Sequence, residues 1–292
     1  MQNILHRYTN GGFSVEIHKD ATKIREQVND LPALMPEQMD LKITNWCDAG
    51  CGWCHENSTT SGAHADLEST LELLKVLNPG TEVAIGGGDP LSHPDFEYFV
   101  KELRKMGIVP SVTVNGRHLQ RSLPILKRLT DSQDLFGVGV SYFNEVPEWD
   151  YPNLVLHLIT GINPPSVLDG YENKKVLLLG YKDFGRGQKM LQIQPDFVKS
   201  NMSLWYRLLP WVAKEHHLSF DNLAIEQLNP RRIFKSSETY LERYMGPEGQ
   251  FSMYIDAVEK EFALCSYAKD RYSWTNMKDM FQTIQRNQGF VK

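Results

Sequence analysis

Leu41-Lys42-Ile43-Thr44-Asn45-Trp46-Cys47-Asp48-Ala49-Gly50-Cys51-Gly52-Trp53-Cys54-His55 joins two signals. The apolar residues that end at Thr44 predict a strand, and that strand runs directly into a loop holding three of the chain's four cysteines. Three residues separate the first two thiols and two separate the next pair. Thiolates this close together suit a soft metal or an iron–sulfur cluster wrapped by one loop. Gly50 and Gly52 give the backbone the freedom that wrapping requires. A cubane cluster has four irons, so three protein thiolates leave one iron open to a small chelating molecule. Structural zinc wants four ligands, and here it would have to recruit His55, which directly follows Cys54 and would need to fold back tightly.

Outward from this loop the chain alternates between two periodicities. Leu67, Leu71, Leu74 and Leu77 recur at helical spacing, Val83-Ala84-Ile85 predicts a strand, and Phe99, Val100 and Leu103 form one face of a helix over 96–106. A strand is expected over 109–114, a helix over 119–129, and further strands over 136–141, 154–159 and 176–179. Strands alternating with helices in this manner make parallel βαβ units, and six of them make a partial or complete (β/α) barrel. Later segments are less regular. A helix is expected over 205–213, a seventh strand over 223–228, a hairpin from 253–256 to 262–264, and a closing helix over 277–286. Asn10-Gly11-Gly12, flanked by alternating Phe13, Val15 and Ile17, predicts an opening hairpin. In such barrels the chemistry sits at the carboxyl ends of the strands. The cysteine loop, Gly86-Gly87-Gly88, Asn115, Ser141 and Thr160 all fall there.

The glycine run continues as Gly86-Gly87-Gly88-Asp89-Pro90-Leu91 and lacks the Lys-Ser/Thr of a phosphate-binding loop. With Trp53 before the third cysteine, the loop resembles the signature of the radical S-adenosylmethionine (SAM) superfamily. Gly87-Gly88-Asp89-Pro90 resembles that family's Gly-Gly-Glu-Pro motif, with Asp89 where Glu is more usual. The resemblance implies an α/β fold built on a partial (β/α)6-type radical SAM barrel. It also implies a [4Fe–4S] cluster on Cys47, Cys51 and Cys54, and SAM bound near Trp53, Gly87, Gly88, Asp89, Pro90, Asn115 and Ser141. The chemistry it implies is reductive cleavage of SAM to a 5′-deoxyadenosyl radical that abstracts hydrogen from a substrate. A flavodoxin- or ferredoxin-type protein would supply the electron.

Around this core, residues 1–38 form a short N-terminal β extension, residues 39–230 the barrel, and residues 231–292 an α+β cap rich in aromatic side chains. Lys182 and Arg186, after the sixth strand, are candidates to hold an anionic substrate or the SAM carboxylate. Glu226, on the seventh apolar run, is a candidate to face the interior. Cys265 stands alone, which leaves no thiols for a second cluster. The expected substrate is a small molecule or nucleotide. The alternatives are a peptide-modifying or glycyl-radical-activating enzyme, or a non-catalytic iron–sulfur or zinc-binding barrel. A net charge of −5 with no basic surplus argues against nucleic acid. No apolar run reaches bilayer length and the first residues lack a signal-peptide core, so a cytoplasmic location is expected.

Overall fold

The computed structural model describes residues 4–291. Strands β1 (Ile4–Asn10), β2 (Phe13–His18) and β3 (Lys23–Gln27) form an antiparallel three-stranded sheet, so the opening hairpin gains a third strand. The main sheet follows with β4 (Gln38–Thr44), β5 (Glu82–Gly87), β6 (Val109–Asn115), β7 (Gly137–Ser141), β8 (Leu154–Ile159), β9 (Lys175–Leu179) and β10 (His217–Phe220), each parallel to its neighbour and in sequential order. Helices α1 (Leu67–Leu74), α2 (Phe96–Lys105) and α3 (Leu119–Asp131) return the chain between the first strands. The β7–β8 crossing has no helix and the β8–β9 crossing only a short 3-10 turn, Pro165–Leu168. Before β10 the chain forms α4 (Arg186–Ile193) and the long α5 (Pro195–Glu215).

Alternation along the strands divides the sheet into two faces. Met39, Leu41, Ile43, Val83, Ile85, Val112, Val114, Val138 and Val140 pack against Leu71, Leu74, Phe99, Leu103, Leu126 and Leu129 of the helices. The intervening residues, among them Asp40, Lys42, Thr113, Asn115, Ser141 and His157, face the lumen of the partial barrel. Gly139 is required there, because a Cβ at that position would lie 2.2 Å from the His157 ring.

Two expectations are corrected. Residues 223–228 are not a strand. They form α6 (Asn222–Leu228), whose first turn is capped by Asp221 accepting from the Ala224 amide and whose end is set by Asn229 in the left-handed region. Ala224 and Leu228 are its buried face, one helical turn apart, and the seventh strand is β10, just upstream. Residues 231–292 also do more than cap. After α7 (Ser237–Leu241), strand β11 (Ser252–Asp256) returns to pair in parallel with β4, on the side away from β5. β12 (Glu261–Ala263) and β13 (Tyr272–Ser273) extend the same sheet antiparallel, and the hairpin expected at 253–264 is present as β11–β12. Helix α8 (Met277–Asn287) packs Met280, Phe281 and Ile284 into the core shared with β4.

Candidate active site

The cysteine loop leaves β4 at Thr44 and is shaped by backbone contacts with its own return limb. The Asn45 and Cys47 amides donate to Ala63 O and Thr59 O, and the Cys54 amide donates to Cys51 O at 3.3 Å. Cys47, Cys51 and Cys54 are half-buried free thiols. Ala49 N donates to Cys47 Sγ at 3.4 Å, and Asn115 Nδ2, at the end of β6, donates to Cys51 Sγ at 3.3 Å. Burial pushes the Cys47 and Cys51 thiols above their ordinary value, while the Asn115 hydrogen bond pulls Cys51 the other way. The three sulfurs are not gathered within 4.8 Å of one another. One ring nitrogen of His55 is engaged away from the thiols. Its Nε2 lies 3.3 Å from Glu56 Oε1 and 3.4 Å from Lys182 Nζ.

The glycine run packs directly beneath the loop. Gly87 has φ of 116°, and a Cβ there would lie 2.4 Å from Thr44 O; at Gly88 it would lie 2.1 Å from Trp46 O. Only glycine allows this approach, and it lets the Gly88 and Asp89 amides donate to Thr44 O and Trp46 O. Pro90 is buried and opens a 3-10 turn, Pro90–Ser92. Asp89 is 3% exposed. Its Oδ2 takes Arg121 Nη2 at 2.7 Å and lies 3.3 Å from His118 Nδ1, outside hydrogen-bond geometry. Its Oδ1 is buried with no partner. Asp48 joins this group, 2.8 Å from His118 Nε2 and forked by Arg121 at 2.8 and 2.9 Å. The ligand atoms of Asp48, Asp89 and His118 are close enough for a metal ion, but the Arg121 guanidinium already supplies the cation.

These residues fit the group that the sequence implies. A set of three uncommitted thiols suits a cluster with one open iron. Open space lies beside Gly50, Gly52 and Gly86, where a Cβ would meet nothing within 4 Å. The orphaned Asp89 Oδ1 suits an ammonium donor.

The other expected residues divide. Ser141 ends β7 in register with Asn115 and His157, at the lumen. Thr160 is fully buried with an unpartnered Oγ1. Trp53 lines a small pocket with Ile159, Leu179, Gly180, Tyr181, His55 and Lys182. Lys182 Nζ donates to Ser266 Oγ at 2.8 Å and, among the described residues, has no carboxylate within 4.0 Å. Arg186 does not reach for an anion. It spends its side chain on loop carbonyls, donating from Nε to Cys51 O at 2.9 Å and from both Nη atoms to Ser58 O at 3.1 Å. Glu226 is corrected as well: on helix α6 it is exposed, away from the interior.

Sequence inspection missed a buried ion network beside the loop. Lys42 Nζ sits 2.9 Å from both Glu56 Oε2 and Asp256 Oδ2, and Tyr254 OH donates to Glu56 Oε1 at 3.3 Å. Burial opposes both charges, but the partners outweigh it, holding Lys42 above and Glu56 well below their ordinary values. The signal was Lys42 itself, a charge between Leu41 and Ile43 in a strand with no turn nearby. Beyond this network a cavity of about 600 Å³ opens between β4, β10 and the 234–248 segment, lined by Asp40, Asp221, Glu248, Tyr240, Tyr244 and Cys265. Burial, then Glu248, pushes the Cys265 thiol up to about 12.

The sequence model of the radical SAM superfamily matches residues 41–173. A Pyrococcus furiosus protein described as a tungsten-containing aldehyde ferredoxin oxidoreductase cofactor-modifying protein is 24% identical over 200 residues, which cover 65% of this chain and 51% of that protein. The chain thus spans about half the length of that curated relative. Among solved structures, Streptococcus suis SuiB bound to precursor peptide SuiA aligns with TM-score 0.54 and 11% identity, covering 86% of this chain and 65% of that one. A second structure of Streptococcus suis SuiB aligns with TM-score 0.56 and 9% identity, covering 96% and 87%.

Proposed function

From the chain's membership of the radical SAM superfamily, whose enzymes use a [4Fe–4S] cluster and SAM, we propose that it acts on a small polar molecule seated in the barrel lumen. The observation that carries the reading is the loop of three free thiols at the lumenal strand ends, beside the Gly87–Gly88 approach and the orphaned Asp89 Oδ1. Cys47, Cys51 and Cys54 would hold the cluster. Asp89 Oδ1 and the Gly86–Gly88 edge would take the SAM ammonium, with Trp53, Pro90, Asn115 and Ser141 around it. When bound, cluster and SAM supply the 5′-deoxyadenosyl radical that removes a hydrogen atom. The chain's own contribution is to orient and to exclude water. Asn115 and Arg186 fix Cys51 from two sides, and the 234–248 segment supplies part of the wall of the adjoining cavity.

A cavity of about 600 Å³ suits a small ligand. Asp40, Asp221 and Glu248, which line it, offer acceptors to the ligand's hydroxyl or amine groups, while Lys182 lines the smaller pocket beside Trp53. The Pyrococcus furiosus relative, a cofactor-modifying protein, agrees with a small-molecule substrate. A peptide substrate is the second reading, favoured by the SuiB–SuiA likeness. A flavodoxin- or ferredoxin-type donor would deliver the electron, and we place the enzyme in the cytoplasm; among the described residues no helix is long and apolar enough to cross a membrane.

The test is anaerobic purification and reconstitution, an iron and sulfide count, and then SAM with dithionite. About four irons per chain, as a cubane requires, with slow release of 5′-deoxyadenosine are expected. A Cys51→Ala variant is expected to lose both the brown chromophore and SAM cleavage. Stoichiometric zinc with no SAM cleavage would overturn the reading.

A further inference from the structure

Three arginines from separate elements grip the cysteine loop. Arg117, in the 3-10 turn after β6, donates from Nη1 to Ala49 O at 2.9 Å and stacks 4.0 Å over the Phe143 ring. Arg121, in α3, forks Asp48 and reaches Asp89. Arg186, the first residue of α4, holds Cys51 O and Ser58 O, while its backbone amide donates to Cys54 O at 3.0 Å. The three differ in charge balance. Arg121 meets two carboxylates, so its own charge is offset within the group. Arg117 and Arg186 meet neutral carbonyls, and among the described residues neither has a carboxylate within 4.0 Å. Each therefore leaves a full positive charge beside the loop.

We propose that Arg117 and Arg186 are positioning residues that also set the reduction potential of the cluster on Cys47, Cys51 and Cys54, by favouring its one-electron-reduced form. The inference rests on the radical SAM reading. Reduction adds one electron, from a low-potential protein donor, to a site already carrying three thiolates. No proton accompanies that electron, so the added negative charge is met by the fixed cations nearby, more strongly by half-buried Arg186 than by exposed Arg117, whose charge solvent screens. Both arginines bond the backbone of the loop itself, at residues 49, 51 and 58, Arg186 from a half-buried position and Arg117 from the exposed side of the loop. The Asp48–Arg121–Asp89 group gives the built-in comparison: it clasps the same loop without a positive surplus.

The experiment is a redox titration of the reconstituted protein, followed by electron paramagnetic resonance, on wild type and five variants. Arg117→Gln and Arg186→Gln are expected to lower the midpoint potential, and Arg117→Lys to keep it near wild type. Asp48→Asn is expected to raise it, by removing a charge that offsets Arg121. The Arg121→Gln/Asp48→Asn double variant removes one charge of each sign, so its midpoint should stay in place while its iron retention falls. Midpoints of Arg117→Gln and Arg186→Gln equal to wild type would overturn the proposal, as would a double variant shifted as far as they are. If a glutamine variant fails to retain iron, Asp48→Asn decides: an unchanged midpoint there also overturns it. A wild-type protein that takes up no iron removes the radical SAM reading, whereas one that cleaves SAM while these midpoints stay fixed removes this inference alone.

Discussion

His157 stands in the lumen with its ring against Gly139, and burial, then the Lys182 charge, hold its imidazole down at about 4. The ordinary value is 6.5, so between these limits the unfolded chain binds the proton that the folded chain refuses. The stability given by the neutral ring is complete above about 6.5 and is lost as pH falls toward about 4, to a total of up to about 3 kcal/mol. Replacing His157 with Asn should flatten this acid limb, which urea melts of the apo-protein at pH 7 and pH 4.5 would show as a smaller difference. At this scale the site was legible wherever its chemistry is contiguous. Cys47, Cys51, Cys54 and Gly87 through Pro90 stand out because each set lies within one short stretch of chain. The clasp of Asp89 by Arg121 and His118 could not be read, since its members come from different strand ends and meet only after the sheet has formed.

Strand β4 is the element on which the site depends, because it carries Lys42 on its lumenal face and the cysteine loop at its end. Lys42 bridges Glu56, from that loop, to Asp256, at the end of β11. Removing one member of a buried ion group strands the others, which typically costs about 3–5 kcal/mol. Lys42→Met is therefore expected to lower the apo-protein's stability by that much, read as a lower urea midpoint, and to loosen the segment after Cys54, read as faster amide hydrogen exchange there. Patterning revealed the first six strands of the main sheet, and the helices between the first four of them, because each has one dry face. It failed at 223–228, where Leu223, Ile225 and Gln227 alternate like a strand while Ala224 and Leu228 repeat like a helix. The Asp221 cap decides in favour of the helix, and caps weigh little in a count of apolar residues.

Across the whole molecule, ten strands form one sheet in the order β10 through β4 and then β11 to β13. Sequential parallel strands follow from the βα rhythm, but the return of the C-terminal segment to the first strand of that rhythm leaves no mark on local sequence. Nor does the polar lumen, which is built from alternate residues of strands far apart in the chain. Met253, Ile255, Met280, Phe281 and Ile284 share one core with Met39, Leu41 and Ile43. A chain ending at Pro230 would lack those partners and leave β4 as an unpaired edge beside an open apolar face. Such a truncated protein is expected to be insoluble or to lack a cooperative melt, as measured by soluble yield and circular dichroism, even though it keeps every cysteine of the loop.

The pairing of β11 with β4 also bears on when the iron can arrive. During synthesis the cysteine loop emerges before the strand that flanks its root, which lies some two hundred residues downstream, and Lys42 has no Asp256 to meet until then. Contacts this distant in sequence close late in folding. A cluster delivered before β11 has paired would meet three thiols on an unsecured loop, so metal loading belongs after that strand has joined the sheet.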